Sequence, residues 1–487
     1  MMKAVILYRL RSISGIQHAR LKSTIYALSS GFGKCGVAVI RVSGPRASDA
    51  ILNMTCLKYL PKPRIACLNK IIDPLTKEQL DNGLILWFPG PKSFTGENSC
   101  EFQVHGGRAV VTSVLHGLSK LCDFRPADPG EFTKRSFYNN KMDLTEVEGL
   151  ADLIEADTEF QRKQALMQLE GSLKHLYSSW RQILLENLAN VEAYIDFSET
   201  DNIDIFVLEN VKTNLEKLSK EIKTHLLDNR SGELLRDGVK VAIIGAPNTG
   251  KSSLLNALCS REAAIVTELP GTTRDPIQVS LDVSGYSVLL VDTAGIRSQS
   301  TDLIEELGIQ KSKDKAQEAD MVILVVDAQY LLDVNNIDLW LQEYTHNMKV
   351  ECNNYLVYVN KIDIIPKDQV FRLEKISQVS NWTICFGSCK ADRGLADMME
   401  IFRNNLQKLC GNPNFENPRC TQARHRYCLT EALNNIKKYL EISKLDNNID
   451  IAAQPLRKAT VYVGKITGHI STEEMLNIIF SKFCIGK

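Results

Sequence analysis

The stretch "GAPNTGKS", residues 245–252, decides how the middle of this 487-residue chain folds. It fits Gly-x-x-x-x-Gly-Lys-Ser, a loop whose glycines let successive backbone N–H groups wrap a phosphate at a helix N-terminus. Its flanks have the required character. "VKVAII" before it is apolar and β-branched, hence a strand, and "SLLNAL" after it opens a helix. In that setting Gly245, Asn248, Thr249, Gly250, Lys251, Ser252 and Ser253 are the expected phosphate contacts. Lys251 would reach the β- and γ-phosphates, and Ser252 would ligate Mg²⁺.

Four more stretches follow in the order a guanine-nucleotide site needs. "PGTTRD", residues 270–275, lies where a first switch loop belongs, with Thr272 against the nucleotide and Thr273 as a second Mg²⁺ ligand. "DTAG", residues 292–295, ends a strand; Asp292 would support Mg²⁺, and the Gly295 N–H would sense a γ-phosphate. "NKID", residues 360–363, supplies Asn360, Lys361 and Asp363, whose carboxylate accepts from guanine N1 and N2. "SCK" brings Ser388 and Lys390 over the base. Together the five elements predict a domain that binds GTP and GDP and hydrolyses GTP. Directly after "DTAG" stands Ile296, where a glutamine would orient the attacking water. An isoleucine cannot do this, so charge and water must be positioned from elsewhere. Arg297 is one source, with a surface ion pair as its other reading. Asn248 is a candidate ligand for a monovalent cation, with a plain turn residue as the alternative.

The pattern around this domain divides the chain. From "VKVAIIGAP" to about residue 408, strands and helices alternate, which predicts a parallel sheet flanked by helices over 236–408. Residues 23–141 mix short β-rich runs ("STIYALSS", "GVAVIRVSG", "NGLILWFPG") with a helix near 107–121, an α+β domain. From Met142 the chain is helical to 235. Leu166, Leu169, Leu173, Leu176, Trp180, Ile183 and Leu188 mark a buried stripe on one long helix. Residues 409–487 are helical again and too few to build a core alone. They are expected to pack on the 142–235 helices, with the β/α domain inserted between the two segments.

Composition sets limits. There are 58 basic and 58 acidic residues, so no global field marks a nucleic-acid binder and any RNA contact rests on local patches. The longest apolar runs are too short to span a bilayer. Thirteen cysteines without a CxxC pair suit a reducing compartment, mostly as buried small hydrophobes. The first acidic residue is Asp49, while Lys3, Arg9, Arg11, Arg20 and Lys22 precede it. A basic, serine-containing, acid-free leader over residues 1–22 is the profile of a mitochondrial transit peptide.

The chain ends in "FCIGK". Cys484 occupies the place of a prenylated cysteine, but Gly486 and Lys487 do not fit that box. The stripe Met475, Ile478, Ile479 and Phe483 predicts a docked helix instead. Together with "GVAVIRVSG", "WFPGPKSFTGE", "HGG", "RPADPGEFTKRSFYNNKMDLTEVEGLADLI", "EAAIVTELPGTTRD" and "GKITG", this ending resembles the MnmE (TrmE) family of tRNA-modification GTPases. The likeness runs from about Ser23 to Lys487, and the leader points to a mitochondrial member acting in the matrix.

The resemblance implies an N-terminal domain that binds folate and dimerises, a split helical domain and an inserted GTPase domain. It implies hydrolysis stimulated by K⁺, with Asn248, Thr267, Leu269 and Thr272 around that ion. The family's catalytic glutamate falls on Glu305, with its neighbour Glu306 as a rival. Folate contacts fall on Arg41, Glu101, Lys141 and Lys487, around a 5,10-methylene or 5-formyl tetrahydrofolate. Cys484 becomes a candidate nucleophile or acid/base group, with a packing thiol as the other reading. The implied function is C5 modification of the wobble uridine of mitochondrial tRNA, by a homodimer working with an FAD-dependent partner of the MnmG type. Two other classes compete: a ribosome-assembly GTPase of the Era/Der type, and a lipidated switch.

Overall fold

The computed structural model describes residues 23–31, 33–197, 206–261, 263–265, 279–291, 319–347, 352, 354–413, 418–445, 449–470, 473–481 and 483–487. The leader, Thr267, Leu269, Thr272, Thr273, Asp292, Gly295, Ile296, Arg297, Glu305 and Glu306 lie outside them. The chain divides into two compact units, Met1–Ala151 with Gly464–Lys487, and Asp152–Val463.

The first unit holds a six-stranded sheet: β1 (Thr24–Leu28), β2 (Cys35–Ser43), β3 (Cys67–Ile72), β4 (Gln79–Phe88), β5 (Ser99–Gly106) and β6 (Phe124–Pro126). Its order is β3-β4-β5-β2-β1-β6, antiparallel except for the β1–β6 pair. Alternation decides which face is covered. Ala38, Ile40 and Val42 of β2 and Phe102 and Val104 of β5 point into a core closed by helices Ala47–Met54 and Arg108–Ser119. The other face carries the odd-numbered partners, among them Arg41 opposite Glu101. On that outer face Leu68 and Leu84 are cross-strand partners, and both are exposed.

The tail joins this unit. Helix Glu473–Ser481 and the following turn bury Leu476, Phe480 and Phe483 against Leu144 and Val147, with Phe137 alongside. Each such side chain contributes about 1.5–3 kcal/mol on burial. Leu144 and Val147 belong to the 142–235 helices on which the tail was expected to pack, and Phe137 just before them adds to that surface. The stripe itself differs from expectation, since Ile478 is 63% exposed while Leu476 and Phe480 face inward.

The second unit holds a seven-stranded sheet: β7 (Val239–Ile244), β8 (Ala263–Ile265), β9 (Val279–Val283), β10 (Tyr286–Val291), β11 (Met321–Asp327), β12 (Tyr355–Asn360) and β13 (Ile384–Phe386). The order is β13-β12-β11-β7-β10-β9-β8. The first five run parallel, and β9 and β8 are antiparallel additions, so the sheet is mixed rather than wholly parallel. The reason is local. Ser284 and Gly285 both have positive φ, 51° and 94°, which makes a two-residue hairpin between β9 and β10. Val241 and Ile243 face one core, with Leu254 and Phe402, and Ala242 and Ile244 face the other, with Leu341 and Leu373. Both faces are thus covered, and β11 is buried along its whole length.

The helical part of this unit comprises Glu159–Leu169, Ser172–Phe197, Phe206–Leu226, Ser231–Asp237, Ala423–Leu445 and most of Ile449–Thr467. The single long helix expected across Leu166–Leu188 is two helices, divided at Gly171, whose φ is +92°. That division rotates the stripe. Leu173, Tyr177, Trp180, Leu184 and Val191 are buried, while Leu176, Ile183 and Leu188 are only half-buried. The thirteen free cysteines also differ from expectation: five are buried, and Cys35, Cys56, Cys122 and Cys484 are exposed. Among the described residues no helix is long and apolar enough to cross a membrane.

Candidate functional site

The loop after β7 arrives at helix Lys251–Arg261 through Asn248 and Gly250, with φ of 61° and 99°. Asn tolerates this left-handed region, and Gly250 is required there for a second reason. A Cβ at Gly250 would stand 2.1 Å from Asn360 Nδ2. Asn360 uses that proximity: its Nδ2 donates to Thr249 O at 2.8 Å, and its Oδ1 accepts from Cys389 N at 3.1 Å. One buried side chain therefore ties the "GAPNTGKS" loop to the "SCK" loop. Thr249, itself 1% exposed, donates through Oγ1 to Ala246 O at 2.9 Å.

Lys251 donates from Nζ to Gly245 O at 3.0 Å and Ala246 O at 2.7 Å. Burial pushes its pKa below the ordinary lysine value. A partly desolvated ammonium beside the N–H groups of a helix start is an anion site, and both fit phosphate. Ser252 and Ser253 are exposed at the first turn of that helix, where a hydroxyl suits a hard cation such as Mg²⁺. Asn248 is exposed beside them. After β12, Lys361 (φ 65°) donates to Asp327 Oδ2 at 2.7 Å, and Asp363 follows exposed in the turn. Ser388 and Arg393 exchange backbone hydrogen bonds of 2.9 and 3.2 Å, Ser388 Oγ accepts from Ala391 N, and Lys390 is exposed on the turn so formed.

Two residues of this site were not anticipated. Asp327 ends β11 and orients Lys361; its signal was a lone acid closing the apolar run "MVILVV". Tyr344, from helix Ile337–Asn347, accepts through Oη from Ala246 N at 2.9 Å and stacks on Trp340 at 4.8 Å. Nothing in the sequence near the loop announces it.

The first unit assembles a different cluster. Arg41 Nε lies 3.0 Å from Glu101 Oε1, both side chains 18% exposed. The Arg41 guanidinium sits over the rings of Phe94 and Phe132, at 5.3 and 5.8 Å. A carboxylate held by a guanidinium, beside aromatic rings, suits a flat heterocycle with N–H donors. Lys141 Nζ donates to Pro91 O at 3.2 Å, in the loop that carries Phe94. The chain end reaches β1: Ser29 Oγ donates to Gly486 O at 2.8 Å, and Cys484 O accepts from Lys487 N at 3.3 Å and Gly130 N at 3.5 Å. A Cβ on Gly486 would fall 2.1 Å from Leu28 O, so glycine alone permits this approach. Ala27, next to Leu28, is the cross-strand partner of Arg41. Arg41 and Glu101 thus touch directly, Lys141 bonds to the loop that carries Phe94, and the residue before Lys487 is seated on β1.

A parallel α/β core, with a glycine-rich loop leading into a helix and an asparagine tying that loop to two others, defines a P-loop nucleotide-binding protein. Comparison with known proteins narrows the class. Residues 24–141 match the profile described as "GTP-binding protein TrmE N-terminus", and residues 144–484 match "MnmE helical domain". A zebrafish (Danio rerio) "5-taurinomethyluridine-[tRNA] synthase subunit GTPB3, mitochondrial" is 45% identical over 95% of this chain and 93% of its own length. The human protein of the same name is 41% identical over 98% and 96%. The "tRNA modification GTPase MnmE" of Rickettsia typhi is 43% identical over 95% and 100%. The chain belongs to the MnmE (TrmE) family of tRNA-modification GTPases.

Proposed function

We propose that this protein is the GTP-hydrolysing component of the enzyme that modifies C5 of the wobble uridine in mitochondrial tRNA. The names of the zebrafish and human relatives support a mitochondrial setting and a taurinomethyl product. Residues 1–22 would be the transit peptide, 23–141 the folate and dimerisation domain, 142–235 and 409–487 the helical domain, and 236–408 the inserted GTPase domain. The exposed pair Leu68 and Leu84 on the open sheet face supports a homodimer through the first of these. An FAD-dependent partner of the MnmG type would complete the reaction.

The observation that carries the reading is the seating of "FCIGK" on β1, one residue from the partner of Arg41. Cys484 is exposed and stands two residues before Gly486, which supports a role for it beside Arg41 and Glu101. Here Arg41, Glu101, Lys141 and Lys487 would hold a tetrahydrofolate, which supplies the one-carbon unit when bound, and Cys484 would act on the uridine. In the nucleotide domain Lys251 neutralises phosphate charge, Asp363 selects guanine, and Ser252 with Thr273 holds Mg²⁺. Asn248, Thr267, Leu269 and Thr272 would hold K⁺, and Glu305 or Glu306 would orient the water that Ile296 cannot.

Purified full-length protein tests both halves. GTP turnover should be faster in K⁺ than in Na⁺, and Asn248→Ala should erase the difference while leaving nucleotide binding largely intact. A tetrahydrofolate derivative should bind, and Glu101→Gln should weaken it without altering turnover. Equal rates in both salts together with no folate binding would return the chain to the class of assembly GTPases.

A further inference from the structure

We propose that residues 58–64, with Lys92, form an RNA-contact strip on the first unit, placed to deliver a nucleotide to the Arg41–Glu101 cluster. This rests on the tRNA reading above and names the surface involved. The chain as a whole is neutral, with 58 charges of each sign, yet residues 50–72 contain no acid. In "KYLPKPR" that stretch presents Lys58, Lys62 and Arg64, all exposed, and a tyrosine that is 84% exposed, Tyr59. Cations beside an exposed aromatic ring are the requirements for single-stranded nucleic acid: the charges follow the phosphates and the ring stacks on a base. An anionic membrane surface would want the charges and a continuous apolar face, and Pro61 and Pro63 prevent an amphipathic helix here.

The strip is held in shape rather than loose. Arg64 N donates to Trp87 O at 2.9 Å, and the Arg64 guanidinium donates to Lys92 O. That anchor makes the geometric link. The loop that accepts from Arg64 at Lys92 accepts from Lys141 at Pro91 and lays Phe94 over Arg41. Residues 92 and 94 are two apart, a span of at most about 7 Å. Arg64 and Arg41 therefore flank one short loop. An RNA strand lying on Lys58–Arg64 with an unstacked base would bring that base to the cluster we assign to folate.

The test is binding of a synthetic anticodon stem-loop RNA to the full-length protein across a salt series, with anionic vesicles as a second arm. Lys58→Ala with Lys62→Ala should weaken RNA binding at least tenfold. It should also make the salt slope shallower, by about 0.7 for each phosphate that is no longer neutralised. Tyr59→Ala should weaken binding about tenfold with the slope unchanged, because stacking releases no counterions. The thermal unfolding midpoint of the first unit should stay at the wild-type value in both variants, which shows that they fold. Wild-type binding with unaltered affinity and slope in the variants would overturn the strip while leaving the tRNA reading intact. No wild-type binding to RNA would overturn both. Loss of vesicle binding instead of RNA binding would overturn the strip in favour of a membrane contact.

Discussion

The nucleotide loops of the second unit and the Arg41 cluster of the first are built in opposite ways. The nucleotide site joins three short motifs, each contiguous in sequence, and Asn360 binds two of them at once. The Arg41 cluster draws residues 41, 94, 101 and 132 from separate parts of the chain, brought together by strand register and by a loop and a helix distant in sequence. The first kind of site depends on backbone conformation at a few positions, such as Gly250. The second depends on the whole unit being folded. Damage to them should therefore look different.

The largest effect should follow from Arg135→Met. Arg135 is 1% exposed and pairs with Glu97 at 2.9 Å and Glu131 at 3.0 Å. Removing it leaves the half-buried Glu97 without its cation and the buried Glu131 with Arg125 alone, at a cost of about 3 kcal/mol. Thermal unfolding should show this loss and the Arg41 cluster should fail with it, while GTP affinity stays unchanged. A parallel loss of GTP affinity would break the contrast. Next comes Lys251→Ala, which should slow GTP hydrolysis by about 10²–10³-fold without lowering the melting temperature of the first unit.

Acid should act on the helical part of the second unit. Burial holds the pKa of His225 down to about 4, opposed by Asp228 and reinforced by Arg426 and His425. The folded state keeps the ring neutral, hydrogen-bonded to Tyr177 Oη at 3.1 Å. The unfolded chain titrates near ~6.5, so this stability is present above that pH and is lost as pH falls through 4, by up to about 3 kcal/mol. Denaturant midpoints measured from pH 7 to pH 4 should fall more steeply in the wild type than in His225→Phe. The smallest effect belongs to Tyr344→Phe. It deprives Ala246 N of its acceptor but keeps the stack on Trp340, so GDP and GTP should both bind about three- to tenfold more weakly. An effect confined to GTP would mean that Tyr344 acts at the γ-phosphate instead.

This contrast also explains what could be read from the chain. The strands β7, β10, β11 and β12 were visible as apolar runs, and the loop glycines announced the nucleotide site. The β9–β10 hairpin was missed because β9 alternates apolar and polar residues, Val279, Leu281 and Val283 between Ser280 and Asp282, a fainter signal than the continuous apolar runs. The break at Gly171 was missed because leucines continue on both sides of it, and Ile478 was placed on the tail's buried stripe because apolar spacing alone does not show which side of a short helix meets its partner. Arg41 and Glu101 came from family likeness alone; as residues in a sequence they are two ordinary charges. Tyr344 and Phe94 had no signal at all, since each acts through a fold that brings it to its partner.

On the function proposed above, one chain joins GTP hydrolysis to one-carbon chemistry on tRNA. Nucleoside mass spectrometry of mitochondrial tRNA, from cells lacking this protein and rescued with single variants, tests it most directly. The C5 group on wobble uridines should disappear without the protein and return with the wild type. It should stay absent with Lys251→Ala, and also with Cys484→Ser even though that variant hydrolyses GTP normally. Wobble uridines fully modified in cells lacking the protein would contradict it.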